Sequence, residues 1–327
     1  VDKMSLVLDK KNISLSMDGK SLRIDCPDQA FQRIPLGMVG NIVVHGNVTA
    51  GCDVWRKLSE KGIHTLLIPM RGSGQHAWIG PGISTSVMVR LTQHKIWADT
   101  CLKISAAVWI VKAKLNGLQK LLSVLGKDGN FLEESMLKLN DASSTDTIRG
   151  IEGAAARIWF NCLANILDKK WGFSGRNRRP PRDPVNALLS LAYTLLVSEV
   201  RKAVYERGLD PCIGFLHEPY PGRESLVLDL TEAFRPGVDA FVLSLTEDEL
   251  EPADFTISEN EACHLSRHGR NIFYNRWEEA KLNWPLTFAE NDEANDNSNF
   301  SSLQTAARRV TAEFVSSWGL SDSEIEA

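Results

Sequence analysis

Val87 to Gly126 reads VMVRLTQHKIWADTCLKISAAVWIVKAKLNGLQKLLSVLG. Its apolar residues return at helical spacing, no proline interrupts it, and Gly117 is the one internal break it predicts. The stretch divides the chain, because everything before about Thr85 has a different period. LVLD, NISLSM, SLRIDC and NIVVHG are short, alternating and rich in β-branched residues, as strands are. Asp18-Gly19 falls between two of these runs and predicts a type I′ hairpin, since both central positions favour positive φ. CDVWRKLSEKGIHTLLIPM then predicts a short helix closed by Gly62 and followed by a strand. RGSGQHAWIGPG predicts a glycine turn and a last strand before Pro81.

On the other side of the dividing stretch helices dominate to about Trp284. TIRGIEGAAARIWFNCLANILDKKWG is one. DPVNALLSLAYTLLVSEVRKAVYERG is another, with Asp183 as N-cap, Pro184 in its first turn and Gly208 past its end. AENDEANDNSN is a polar linker, SSLQTAARRVTAEFVSSW a final amphipathic helix, and the acidic end has a disordered composition. The fold class is α+β. A small N-terminal β domain spans residues 1–85, a larger, nearly all-α domain 86–288, and a linker, short helix and acidic tail 289–327. At 327 residues the chain exceeds what one core usually serves.

Hydrophobic residues make up 43% and charged residues 24%, which excludes a disordered or fibrous class. No apolar run reaches the ~18 residues a membrane span needs, and no signal segment opens the chain. The six cysteines are scattered without a CxxC pair, which points away from structural zinc and disulfides and toward a reducing, cytoplasmic setting. Because the chain opens on Val1, a preceding segment stays an open expectation. The net charge of -4 hides a partition. Arg157 to Arg207 holds ten basic and four acidic residues, a local +6, whereas Pro236 to Ser266 has no Lys or Arg. A polyanion therefore belongs against the middle of the chain.

The chemistry gathers in GFLHEPYPGRESLVLDLTEAFRP, Gly214 to Pro236. His217 lies in an apolar, strand-like lead-in. On the helix that follows, Asp229, Glu232 and Arg235 succeed one another at i, i+3, i+6 beside the apolar stripe Leu226, Leu230, Phe234. Acids on so apolar a helix need pairing or a cation. Upstream, Glu152 is followed by Gly153, Ala154, Ala155 and Ala156, small neighbours that leave a ligand open access. A Glu, a His and one of the two downstream acids suit Mg²⁺ or Mn²⁺, and spacing leaves Asp229 and Glu232 both open. Each residue also has a plainer reading: a satisfied core histidine, a solvated helix face, an acid favoured at a helix start. Arg176, Arg178, Arg179 and Arg182, broken by two prolines, form a basic loop suited to phosphates. Nearby Trp171 and Phe173 read either as stacking platforms for a frayed DNA end or as helix-end packing.

EGAAARIWF, GRNRRPPRDPVNALLSLAYTLL and GFLHEPYPGRESLVLDLTEAFRP together resemble successive motifs of the CRISPR-associated integrase, the Cas-one family. The likeness extends over LVLDKKNISLS, Ile34 to Ile68 and RLTQHKIWADTCLKISAAVWIVKAKL, and it ends near Ala289. The resemblance implies a small N-terminal β-sandwich-like domain that dimerises and a helical catalytic domain. It implies metal ligands at Glu152, His217 and Glu232, with Asp229 supporting or sharing the site. Asn186 and Tyr193 match positions on the helix backing that site, and Arg235 one just after it; the basic loop and Arg235 would meet DNA. The family's homodimers are bridged by the second Cas protein, and they insert short double-stranded DNA as new spacers at the leader end of a CRISPR array. The expected chemistry is Mg²⁺- or Mn²⁺-dependent attack of a DNA 3′-hydroxyl on a phosphodiester, which fits the lack of a Ser-His or Cys-His nucleophile pattern. Two other readings use the same residues: a general metal-dependent or junction-cleaving DNA endonuclease, and a non-catalytic DNA-binding scaffold.

Overall fold

The computed structural model describes residues 3–27, 29–69, 76–81, 87–177, 180–258, 261–284 and 302–319. It divides into two compact units, Val1–Gly82 and Ile83–Ala327. The predicted linker AENDEANDNSN and the acidic end lie outside the described residues.

In the first unit, strands β1 (Met4–Leu8), β2 (Ile13–Asp18), β3 (Ser21–Asp25), β4 (Gln32–Pro35), β5 (Val39–His45), β6 (Val48–Ala50), β7 (His64–Ile68) and β8 (Ala77–Ile79) accompany helix α1 (Cys52–Glu60). They form two four-stranded sheets, ordered β1-β5-β7-β8 and β4-β3-β2-β6. β1, β5 and β7 run parallel, while β2, β3 and β4 form an antiparallel meander. The chain changes sheet at Gly46, whose φ of 101° no β-branched residue adopts cheaply. One apolar cluster serves both sheets. Ile42 and Val44 of the first meet Leu15, Leu22 and Ile24 of the second, with Val54 and Leu58 of α1. The unit is thus sandwich-like, as expected. Its first hairpin differs from the expected type. Asp18 pairs with Ser21, so Gly19 and Lys20 are the central residues, and only Gly19 has positive φ. Glycine at the first central position is the requirement of a II′ turn rather than I′.

The second unit contains α2 (Val87–Ala98), α3 (Thr100–Val124), α4 (Asn130–Asn140), α5 (Thr145–Ile166), α6 (Pro184–Glu206), α7 (Ser225–Thr231), α8 (Arg235–Asp248), α9 (Arg267–Leu282) and α10 (Leu303–Ser316), with a short hairpin of β9 (Phe255–Ile257) and β10 (Cys263–Leu265). The long stretch from Val87 breaks at Asp99, not at Gly117. Asp99 is extended, and its carboxylate accepts from Leu102 N at 3.0 Å, so it ends one helix and caps the next. Gly117 lies within α3, and its missing Cβ admits a neighbour: an added Cβ would stand 3.1 Å from Pro236 Cγ. That contact brings α3 close to the turn that carries the acids. The predicted cap of α6 is present, with the Asp183 carboxylate accepting from Asn186 N at 2.8 Å and Gly208 at φ 77°. Among the described residues no helix is long and apolar enough to cross a membrane, and all six cysteines are free.

Candidate active site

The expected strand around His217 is a loop, and its backbone donors explain why. Phe215 N and Leu216 N donate to Asp229 Oδ2 at 2.6 and 3.0 Å, and His217 N donates to Oδ1 at 2.9 Å. A segment whose amides wrap one carboxylate has none left for a ladder. Gly214 makes the bend possible, since a Cβ there would meet His217 O at 2.7 Å. Asp229 is fully buried on α7, and its Oδ1 also takes His217 Nδ1 at 2.7 Å. Because an ionised carboxylate only accepts, the His217 ring carries a proton on Nδ1, which leaves Nε2 as the nitrogen turned away from Asp229. With both oxygens engaged, Asp229 orients the histidine.

Glu232 follows in a tight 3-10 turn, Glu232–Phe234, between α7 and α8, and is 4% exposed. Lys114 Nζ, from α3, donates to its Oε2 at 2.7 Å, and the Arg235 guanidinium pairs with Oε1 at 2.8 Å. The same Lys114 ammonium pairs with Glu152 Oε1 on α5. Two carboxylates from separate helices therefore converge on one cation. Burial alone would push the Glu232 carboxyl up; the Arg235 and Lys114 charges, the Lys114 hydrogen bond and nearby His217 outweigh it and hold it at about 2. Lys114 is raised in spite of its own burial, because Glu232 and Glu152 flank it. Beside Glu152, Gly153 and Ala154 are exposed, and a Cβ on Gly153 would meet nothing within 4 Å. The Glu152 side chain is itself 23% exposed, so that carboxylate is reached by solvent.

Behind the acids, Arg235 stacks on the Tyr193 ring at 4.8 Å. Tyr193 OH donates to Asp239 Oδ1 at 2.5 Å, and Trp159 Nε1 donates to Oδ2 at 2.8 Å. Burial raises Asp239 although both donors act to lower it, and burial with the Asp239 charge lifts Tyr193 well above its ordinary value. Asn186 belongs to a different cluster. Its Oδ1 accepts from Arg176 Nη1 at 2.7 Å and Asn177 N at 2.9 Å, and its Nδ2 donates to Gly175 O at 2.8 Å, knotting the basic loop to the start of α6. Arg176 is thereby held inward, also donating to Ser190 Oγ at 3.1 Å, while Arg182 is exposed. Arg178 and Arg179 lie outside the described residues. Trp171 and Phe173 are both buried, which selects the packing reading over stacking on DNA.

Sequence reasoning missed Lys114 and Asp239. The signal for Lys114 was legible: it shares the buried stripe of α3 with Ala107, Val111 and Leu118, at helical spacing, where a lysine needs acidic partners. Among the described residues no three His, Cys, Asp or Glu side chains are gathered tightly enough to hold a metal ion by themselves. The donor chemistry nonetheless fits one. Glu152 and Glu232 already share a cation in Lys114 Nζ, and His217 lies near enough for a positive charge on its ring to act on Glu232.

A family model described as CRISPR associated protein Cas1 matches residues 6–279. The chain belongs to the Cas1 family. CRISPR-associated endonuclease Cas1 3 of Thermus thermophilus is 34% identical over 269 residues, covering 81% of this chain and 80% of the relative. The fold agrees with a Cas1 protein from Thermotoga maritima at TM-score 0.84 and 23% identity, over 97% of this chain and 98% of that one. A casposase bound to its integration product superposes at TM-score 0.81 and 23% identity, over 99% and 95%. The family assignment makes the chain a member of an endonuclease group, and the Cas-one resemblance of its motifs is confirmed.

Proposed function

We propose that the chain is a divalent-metal-dependent DNA integrase that inserts spacer DNA into a CRISPR array, working as a homodimer with the second Cas protein. The observation that supports this most is the convergence of Glu152 and Glu232 on one cation beside a histidine held at Nδ1 by Asp229. In the reaction, the 3′-oxygen of an incoming strand bonds to phosphorus, the target strand's 3′-oxygen leaves, and the attacking hydroxyl's proton passes to solvent or the leaving oxygen. Mg²⁺ or Mn²⁺ held by Glu152, His217 and Glu232 would lower the hydroxyl pKa and polarise the phosphoryl oxygen. The chain's own residues prepare that chemistry. Arg235 fixes one Glu232 oxygen, Asp229 fixes the imidazole, and the partly exposed Glu152 side chain leaves its carboxylate within reach of a DNA backbone. Exposed Arg182 offers a fork to a phosphate. The N-terminal β unit supplies the dimer contact in this reading.

The test uses labelled spacer DNA, the second Cas protein and plasmids with or without a CRISPR array. Joining should occur at the array only, should need Mg²⁺ or Mn²⁺, and should fall by on the order of 10²-fold or more in Glu152→Gln, His217→Ala and Glu232→Gln, the scale of losing several kcal/mol of transition-state stabilisation. Full joining by all three would overturn the site. Equal attack on array-free DNA would favour the general endonuclease, in which water replaces the 3′-hydroxyl at the same groups.

A further inference from the structure

Lys114 sits between the two site carboxylates, and the sequence reading gave it no role. Its placement has a consequence for charge balance. Glu152 and Glu232 bring two negative charges, and Lys114 and Arg235 bring two positive ones. Asp229 is satisfied separately by three backbone amides and His217. The carboxylate pair is therefore neutralised before any metal arrives, in a place where Glu232 is 4% and the Lys114 side chain 12% exposed. A divalent ion entering this site adds charge that little solvent can screen, and it must take the position the ammonium holds between the two acids. Two events relieve that excess: withdrawal of the ammonium from the acids, and arrival of phosphodiester anions beside Glu152.

We propose that Lys114 is a built-in counter-cation that couples metal loading to DNA binding. The free protein holds its carboxylates on lysine and takes up metal weakly. With DNA phosphates in place, the metal replaces the ammonium between Glu152 and Glu232, and the released Lys114 pairs with a phosphate instead. The coupling is reciprocal, so metal must strengthen DNA binding by the factor by which DNA strengthens metal binding. The device keeps a nuclease-type centre unloaded until its substrate is present. This inference rests on the metal-site reading above.

The test counts Mn²⁺ bound by the full chain from loss of the free-ion electron paramagnetic resonance signal. It is run with and without duplex DNA bearing single-stranded 3′ ends, after subtracting ions bound by that DNA alone. Wild type should bind Mn²⁺ tighter with DNA by on the order of tenfold or more, within the usual range of allosteric coupling. Lys114→Met should bind Mn²⁺ about tenfold tighter than wild type without DNA, and its DNA dependence should shrink accordingly. Lys114→Arg keeps the charge and should keep the coupling; it and wild type decide the matter if Lys114→Met does not fold. Equal Mn²⁺ affinity of wild type with and without DNA overturns the proposal. Absence of Mn²⁺ uptake in both states, with wild type matching a Glu152→Gln, Glu232→Gln double variant, overturns the metal reading and this inference with it.

Discussion

At Glu232, burial raises the carboxyl while Arg235, Lys114 and His217 lower it, and the charges prevail at about 2 against an ordinary 4.5. A folded-state value below the unfolded one means the folded form prefers the ionised group. The resulting stability is complete above about pH 4.5 and is lost as pH falls toward about 2. Urea denaturation at pH 6, 4 and 3 should therefore show the stability advantage of wild type over Glu232→Gln shrinking as pH drops. An advantage that stays constant to pH 3 would show the carboxyl is not held down by its neighbours. This residue also marks how far the sequence could be read. Helical spacing found Asp229 and Glu232 together but could not rank them, because both lie on one side of the same turn. What separates them is long-range: Asp229 meets amides 12 to 14 residues away, and Glu232 meets a lysine 118 residues away.

Elements with local punctuation were legible, and those defined by distant partners were not. Asp183 and Gly208 bound α6 through hydrogen bonds and dihedrals that a few adjacent residues determine. The loop to His217 carries no local period, because its amides serve a side chain on another element. The role of α10 was equally hidden. Its amphipathic pattern predicted a helix, and the matched family region ends at residue 279, before α10 begins. Yet Phe314 of α10 is fully buried against Phe215, with ring centroids 5.6 Å apart, and against Trp109 at 5.1 Å. Phe215 is one of the two residues whose amides hold Asp229 Oδ2, so the last helix braces the loop that presents His217. Phe314→Ala should cost about 3–5 kcal/mol in urea unfolding, the usual range for emptying an aromatic site in a core. Strand joining should fall further than the loss of folded protein accounts for, because the brace is removed beside the histidine loop. Joining that tracks only the folded fraction would reduce α10 to a stabilising element.

Over the whole molecule, net charge is a poor guide to nucleic-acid binding and its distribution a better one. The chain totals -4, yet the segment from Arg157 to Arg207 carries a local +6. That segment spans the last ten residues of α5, the basic loop and α6, and it begins five residues after Glu152. Each phosphate neutralised on duplex DNA releases condensed counterions, so binding weakens with salt at a log–log slope of about -0.9 per contact. The loop arginines should not contribute alike. Arg182 is exposed, so Arg182→Gln should shallow the slope by about one contact and leave the unfolding midpoint unchanged. Arg176 donates to Asn186 and Ser190 and lies 5.6 Å from the centroid of Tyr193, the ring on which Arg235 also stacks. Arg176→Gln should therefore lower the unfolding free energy by about 1–3 kcal/mol, the cost of leaving buried partners unpaired, in addition to any change in slope. Fluorescence anisotropy across a salt series, paired with urea melts, separates the two. Equal slopes and equal stabilities for both variants would mean that the positive segment is read by DNA as a diffuse field. A split between them would show the loop divided between one arginine that meets phosphate and one that ties the loop to the helix behind the site.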